Sequence, residues 1–258
     1  MKKILVTGAN GQLGQAIKKI AERHSTLDFS FKNSQELDIA NPDSVNSLFD
    51  AVQFDFCINC AAYTDVEQAE KTPEVAFKVN ADGVKNLALA CNANNIKLIH
   101  ISTDYVFDGE KEEGYLPTDK TYPINQYGKS KLKGEQHIQE ILKEFLIIRT
   151  SWLYSEYGKN FYKTILTKAN AGENLKVTDE QKGCPTNANN LAEFIVNILV
   201  DKKFESGIQH FTDGTVMTWY EFAEKILNDN KLGGTVKLVR DKNYRTFAKR
   251  PKNSTLNP

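Results

Sequence analysis

The sequence predicts an α/β protein built on a doubly wound parallel sheet, with a smaller C-terminal lobe. Three observations carry that prediction. From Lys3 to Thr150, short β-branched and apolar runs alternate with stretches of helical periodicity, the pattern of parallel strands joined by crossover helices. A glycine-rich segment, Thr7-Gly8-Ala9-Asn10-Gly11-Gln12-Leu13-Gly14, stands between the first such run and the first helical one. After Leu146-Ile147-Ile148-Arg149-Thr150 the regular alternation gives way to aromatics and amides.

With 258 residues, 40% hydrophobic and 26% charged, the chain can bury a large core. Its 33 basic and 33 acidic residues cancel, so nothing at whole-chain level favours nucleic acid or an anionic membrane. No apolar run is long enough to span a bilayer. Met1-Lys2-Lys3-Ile4-Leu5-Val6 opens like a signal peptide but meets Thr7-Gly8 after three apolar residues, too few for the apolar region of a signal, so a cytoplasmic location is expected. Cys57 and Cys60 have the spacing of a metal or redox pair. They lie in a strand-like segment, where residues three apart point to opposite faces, so the expectation is of buried thiols and no metal site.

Lys3–Val6 reads as the first strand, and Leu13, Ile17 and Ile20 then recur at helical spacing. Glycines between a strand and a helix tighten the turn and let a pyrophosphate approach the backbone, in the manner of a Rossmann dinucleotide site. The helix N-terminus offers its free N–H groups to the phosphates. Gly8, Asn10, Gly11, Gln12, Leu13 and Gly14 are therefore candidate cofactor residues, although the spacing is G-x-x-G-x-x-G rather than G-x-G-x-x-G. Leu27–Phe31 alternates like a strand. An NAD-selective site places an acid about 20 residues beyond the glycines; here the chain reads Lys32-Asn33-Ser34. A cation beside hydroxyl and amide groups suits a 2′-phosphate, which favours NADPH over NADH, with Asp38 and Ile39 placed to flank the adenine.

Asn41-Pro42 caps and opens a helix with Val45, Leu48, Phe49 and Val52 as its buried stripe. The strand around Cys57 leads to the loop Ala61-Ala62-Tyr63-Thr64-Asp65. One long helix is expected from Pro73 to Asn94, carrying Val75, Val79, Val84, Leu87 and Leu89. Lys97–Ser102 is the next strand, and His100 within it reads as a packed or hydrogen-bonded core histidine. Ligands of such sheets bind beyond the carboxyl ends of the strands. Ser102-Thr103-Asp104-Tyr105 lies at such an end, and the long segment from Thr103 to Asn125, with Gly109, Gly114, Pro117 and Pro123, is the size of a functional loop. Gly128-Lys129-Ser130 has the ending of a nucleotide-triphosphate loop, but that motif needs glycine at position 123, which is proline.

The segment after Pro123 reads as a helix capped by Asn125. On it Tyr127 and Lys131 stand at i and i+4, roughly 5–6 Å apart at their β-carbons. Such pairs are common and alone mean nothing. Beside a dinucleotide loop and a hydroxyl residue after a central strand, they compose a site for moving hydride to or from a carbonyl. Tyr127 would give its proton to the developing alkoxide, Lys131 would lower the phenol pKa and reach the nicotinamide ribose, and Thr103 would hydrogen-bond the reacting oxygen.

Beyond Thr150 a helix is expected near Phe161 to Ala171, a polar loop over Asp179–Thr186, an apolar helix over Leu191–Val200 and a late strand at Ile208–Phe211. Thr218-Trp219-Tyr220-Glu221 has capping-box spacing. From Lys231 onward the basic residues Lys231, Lys237, Arg240, Lys242, Arg245, Lys249, Arg250 and Lys252 face a single acid, Asp241. Such a cluster suits either the diphosphate of a sugar nucleotide or a solvated basic face or disordered tail.

The glycine segment together with Tyr127-x-x-x-Lys131 resembles the extended short-chain dehydrogenase/reductase superfamily. Ser102–Gly109, Arg149–Tyr154, Asp179–Thr186 and Arg250–Asn257 narrow the resemblance, over nearly the whole chain, to the dTDP-4-dehydrorhamnose reductase family. The resemblance implies NADPH-dependent reduction of the 4-keto group of a dTDP-linked 6-deoxy sugar. It implies that Ala61, Ala62 and Tyr63 line the cofactor, that Asn80 is a structural asparagine near the active site, and that Trp152 lies in the sugar pocket. Asp104, Tyr105 and Arg250 are expected on the substrate side. Residues 1–151 and 187–212 would form the NADP-binding domain, and 152–186 and 213–258 the sugar-nucleotide lobe, which stops where relatives continue into another helical stretch. Some members join a homodimer through a carboxylate-held metal; the matching positions here are Gln15 and Asn190, which leaves a Mg²⁺ bridge without its carboxylates. Two alternatives share the motifs. One is a sugar-nucleotide epimerase or 4,6-dehydratase, which Lys32-Asn33-Ser34 and the Trp152 motif fit less well. The other is a non-catalytic NADP-binding regulator, which would have no need of Thr103, Tyr127 and Lys131 together.

Overall fold

The computed structural model describes residues 1–258. Five parallel strands form its centre: β1 (Lys2–Thr7), β2 (Leu27–Lys32), β3 (Phe56–Asn59), β4 (Lys97–Thr103) and β5 (Phe145–Thr150), with Gly207–His210 as a sixth, edge strand. They lie side by side in the order β2-β1-β3-β4-β5-edge, every neighbour parallel. The order reverses between β1 and β3, and a crevice opens there at the carboxyl ends of the strands.

Alternation along each strand sends apolar side chains to both faces, so both must be covered. Ile4, Val6, Ile58, Ile99, Leu146 and Ile148 face α1 (Gln12–Ala21) and α8 (Ala188–Val200). Leu5, Cys57, Leu98 and Ile147 face α2 (Pro42–Ala51), α5 (Val84–Ala93) and α6 (Gln126–Ile141). Cys57 and Cys60 pack on opposite faces, as the strand geometry requires. Asn41 caps α2 through Asp43 N and Ser44 N, with Pro42 in its first turn.

The helix expected over 73–94 is interrupted. After α3 (Val66–Lys71), α4 (Pro73–Phe77) runs into a π-helical turn at Lys78–Gly83 before α5 begins. The wider turn coincides with Asn80, fully buried, whose side chain leaves the helix to bind Tyr63 and Ser130. Val75 and Leu89, expected among its apolar residues, are exposed.

A third, separate cluster unites α7 (Phe161–Asn170) and α9 (Trp219–Asp229) around Ile165, Leu175, Phe222 and Ile226. The expected capping box is formed at Thr218 and Glu221. Leu175–Val177 pairs with Leu238–Arg240, and Lys182–Gly183 with Met217–Thr218. The chain end is pinned rather than loose: Tyr115 N donates to Thr255 O at 2.8 Å and Asn257 N to Tyr115 O at 2.8 Å. Most of the basic cluster, Lys231 to Arg245 with Lys249 and Lys252, faces solvent; Arg250 alone turns inward.

Candidate active site

The crevice is built first from glycine. Gly8 leaves β1 with φ +66°, and a Cβ there would lie 2.6 Å from the Ala61 nitrogen, so only glycine lets the two strand ends close up. A Cβ on Gly14 would lie 2.5 Å from the Gly8 carbonyl oxygen, so α1 starts directly on the loop. Gly11 is the N-cap of α1 and supplies no side-chain cap. The first N–H groups of the helix are left for an anion, and the cradle fits a dinucleotide pyrophosphate.

Two cavities meet at this loop. One, of about 330 Å³, is lined by Gly8, Asn10, Asp38, Ile39, Ala61 and Tyr63 among others. The second, of about 420 Å³, holds Gln12, Leu13, Thr103, Asp104, Tyr127, Lys131 and Trp152. Gly11, Cys60 and Ala62 line both, so they form one groove across the loop. Lys32, expected at the 2′-phosphate, lines neither; it ends β2, and the adjoining Asn33 and Ser34 reach the first cavity instead. Asn80 faces neither cavity. Its amide binds both main-chain groups of Tyr63, at 2.8 and 2.9 Å, and Ser130 Oγ at 3.0 Å, so it holds the loop after β3 from behind. Gln12 ties the glycine loop to the later lobe through Leu153 O, Ser155 Oγ and Asn160 Nδ2. Gln15 and Asn190 are engaged within the chain, with Asn10 O and Asp213 Oδ1.

Asn125 caps α6, accepting from Gly128 N at 2.7 Å, and sets the register of the helix that carries Tyr127 and Lys131. A Cβ on Gly128 would strike the Tyr105 carbonyl, so the first turn of α6 lies directly on the loop after β4. Thr103, at the end of β4, donates to Asp104 Oδ1 at 3.0 Å and accepts from Tyr105 N at 3.2 Å. Burial lifts the Tyr127 phenol well above its ordinary value; a hydrogen bond with Thr103 opposes this, and Asp104 and Tyr105 add to it. The expected acidifying influence of Lys131 is not among these causes. The Lys131 ammonium position is taken up by β4, donating to Ile101 O at 2.6 Å and lying 3.4 Å from His100 Nε2. Burial brings Lys131 down to about 8 despite Glu135 and Cys60, which favour its charge. Tyr127 thus keeps its proton near neutral pH, as a proton donor must.

Behind the site, Glu135 of α6 takes a two-pronged contact from Arg149, Nη2 to Oε2 at 2.7 Å and Nε to Oε1 at 3.0 Å, and Ser102 Oγ donates to Oε1. All three are buried, so an ion pair fastens the helix that carries Tyr127 to the ends of β4 and β5. Burial also pushes the Asp104 carboxyl up to about 7, against the nearby Ser254 and Thr103 hydroxyls, and its Oδ2 meets no donor in hydrogen-bonding geometry.

Trp152 adopts φ +48°, a strained conformation for a bulky residue. Its indole stacks on Trp219 and packs on Gly183. Trp219 lines a third cavity of about 320 Å³ together with Lys168, Lys176, Gln181, Tyr244 and Arg250. The tryptophan pair is therefore the wall between the Tyr127 cavity and the later lobe. Arg250 donates to Glu67 Oε1 at 2.8 Å and lies 3.4 Å from the Tyr105 hydroxyl, and Tyr105 packs edge-on to Tyr127. Glu67 also receives Phe247 N at 2.9 Å, so α3 anchors the chain that crosses this cavity.

Trp219, Glu135, Thr64 and Lys159 carry no site signal in the sequence. Trp219 was legible only as a capping-box neighbour, and Glu135 only as a polar helix residue. Thr64 and Lys159, which line the second cavity, lie in loops with no pattern to mark them.

The family model described as RmlD substrate binding domain matches residues 1–258. The dTDP-4-dehydrorhamnose reductase of Aggregatibacter actinomycetemcomitans is 40% identical over 266 residues, covering 99% of this chain and 90% of the relative. That of Escherichia coli K12 is 36% identical, covering 98% and 89%. Among solved structures, a dTDP-4-dehydrorhamnose reductase of Clostridium acetobutylicum superposes with TM-score 0.93 at 38% identity, covering 99% of this chain and 90% of that one. One from Bacillus anthracis in complex with NADP gives 0.94 at 36%, covering 100% and 91%. A Thermus thermophilus UDP-glucose 4-epimerase, at 18% identity and TM-score 0.80, shares the fold alone.

Proposed function

The chain belongs to the RmlD substrate binding domain family, and on that premise we propose that it reduces the 4-keto group of dTDP-4-dehydro-6-deoxy-L-mannose with NADPH, giving dTDP-L-rhamnose. The observation that carries this reading is the convergence of Thr103, Tyr127 and Lys131 on one cavity that continues across the glycine loop. NADPH, when bound, supplies the hydride that reduces the carbonyl carbon. Gly8, Gly11 and the N-terminus of α1 would hold its pyrophosphate, and Ala61–Tyr63, Asp38 and Ile39 the adenosine half.

The residues of this chain do the rest. Tyr127 donates its phenolic proton to the carbonyl oxygen as that oxygen gains charge, so a C–H and an O–H bond form and the ketone becomes an alcohol. Thr103 hydrogen-bonds the same oxygen and orients it. The phenolate left behind takes a proton from water entering the open cavity, and Lys131, when charged and turned from β4 to the cavity it lines, would stabilise it meanwhile. Trp152 and Trp219 wall the sugar, and the 320 Å³ cavity beyond them, with Lys168, Lys176 and Arg250, suits the nucleoside diphosphate. The split into a cofactor domain over 1–151 and 187–212 and a sugar-nucleotide lobe over 152–186 and 213–258 follows from this reading, supported by the separate cluster around α7 and α9. No helix is long and apolar enough to cross a membrane. A homodimer of this chain would form without a carboxylate-held metal at Gln15 and Asn190.

The test is loss of NADPH absorbance when the protein meets the 4-keto sugar nucleotide, generated in place from dTDP-glucose by the upstream enzymes. Folded protein that leaves NADPH untouched would contradict the reading.

A further inference from the structure

Asn59, His100 and Lys131 form a buried hydrogen-bonded line beneath the Tyr127 cavity. Asn59 ends β3, His100 faces it in register on β4, and both are fully buried. The Asn59 Oδ1 accepts the Ala61 main-chain N–H at 3.1 Å and the Thr7 hydroxyl at 2.6 Å. A main-chain N–H can only donate, so this contact decides which end of the amide is oxygen. The Asn59 Nδ2 group therefore faces His100 Nδ1, at 3.0 Å, and also can only donate. Nδ1 must carry a lone pair. Burial holds His100 well below its ordinary range, so the ring is neutral and its one proton sits on Nε2.

That Nε2–H points at Lys131 Nζ, 3.4 Å away. An ammonium has no lone pair and would oppose it donor to donor. The contact closes when Lys131 is an amine that accepts from Nε2–H and donates one of its own hydrogens to Ile101 O. We propose that Asn59 and His100 are a fixed-tautomer clamp that favours the neutral amine of Lys131 in the cofactor-free protein, making it the main form at pH 9, and that dinucleotide binding recharges Lys131 with one proton drawn from solvent. The inference rests on the proposed function in taking the groove as a dinucleotide site.

The other groups around Lys131 fit this balance. Glu135 on α6 and Cys60 after β3 favour the ammonium, while burial opposes it. Arg149 on β5 occupies both oxygens of Glu135 and so weakens its influence. Tyr127, on the same helix, keeps its own proton. The negative charge of a bound dinucleotide tips the balance: the amine takes H⁺ to become an ammonium, and the ammonium loses His100 as a partner and turns to the cavity it lines. Nothing can pass through Nδ1, because an amide blocks it. His100 is therefore a positioning residue acting through Lys131 and not the source of the proton used in reduction.

Two measurements decide this. NADP⁺, which binds without turnover, is titrated calorimetrically at pH 9 in buffers of different ionisation enthalpy. Wild type is expected to take up close to one proton per site, and Lys131→Met and Asn59→Asp close to none; the carboxylate of Asn59→Asp would draw the proton to Nδ1 and hand Nε2's lone pair to the ammonium. No uptake by wild type, or uptake surviving in Lys131→Met, overturns the proposal. Separately, the imidazole ¹⁵N spectrum of cofactor-free protein, with His100 assigned by comparison with His100→Gln, is expected to show the neutral Nε2–H form. An Nδ1–H form or an imidazolium overturns it. If NADP⁺ fails to bind at all, it is the proposed function that fails, and the imidazole spectrum still decides the clamp.

Discussion

Trp152 and Trp219 stack with ring centroids 3.5 Å apart and planes within 5° of parallel, one ring lining the Tyr127 cavity and the other the cavity of the later lobe. The strained backbone at Trp152 persists because Trp219 and Gly183 trap the indole from two sides. Aromatic pairs contribute about 0.5–1.5 kcal/mol beyond their burial. Trp219→Ala should accordingly raise KM for the sugar nucleotide about tenfold, with NADPH affinity unchanged. A variant in which both affinities fall together would place the pair in the fold rather than at the substrate.

The Glu135–Arg149 pair is almost wholly buried, at 0% and 3% side-chain exposure. Removing one partner of such a pair leaves a bare charge inside and costs about 3–5 kcal/mol. Glu135→Gln is expected to lose that much in urea unfolding, and Glu135→Leu combined with Arg149→Met to recover most of it. Equal losses in the single and double variants would contradict the unpaired-charge explanation.

Burial pushes the Asp104 carboxyl of the folded protein up to about 7 from the ordinary value near 4. Between those values the folded state binds more protons than the unfolded one, so this group makes stability fall as pH rises from 4 to 7. Asp104→Asn should remove that slope and stabilise the protein at pH 8 by about 2–4 kcal/mol. Unfolding at pH 5 and pH 8 reads it directly; an unchanged difference between the two would show that Asp104 is not the group responsible.

Much of this was legible in the sequence because it was periodic or local. Alternating runs reported the sheet, since both faces of a parallel sheet must be apolar. The glycine loop was legible because only glycine permits the approach of Gly8 to Ala61. Tyr127 and Lys131 shared a helix face at a fixed spacing. What escaped notice was nonlocal or polar. The π-turn at Asn80 depends on a partner, Ser130, fifty residues away in another helix. Trp219 joins Trp152 only through the later lobe. The direction of the Lys131 side chain is set by Ile101 and His100 on a strand that helix periodicity does not reveal, so the lysine that shares a helix with Tyr127 turns its Nζ to β4.

Lys32 stands at the end of β2, with Asn33 and Ser34 lining the cavity beside Gly8 and Gly11. An exposed charge pair contributes up to about 1 kcal/mol. Lys32→Ala should therefore weaken NADPH binding about threefold to fivefold and leave NADH binding as it was. Equal weakening of both would remove Lys32 from recognition of the 2′-phosphate and leave that role to Asn33 and Ser34.

The central claim is that Tyr127 protonates a sugar ketone while the carbonyl carbon receives hydride. The most direct measurement uses NADPH carrying deuterium at the transferred position, with the sugar nucleotide product examined by NMR for wild type and Tyr127→Phe. Deuterium should appear at C4 of the product with wild type, and Tyr127→Phe should slow its appearance about 10²–10⁴-fold while still binding NADPH. Oxidised cofactor with no deuterium on the sugar, or an undiminished rate in Tyr127→Phe, would contradict the account.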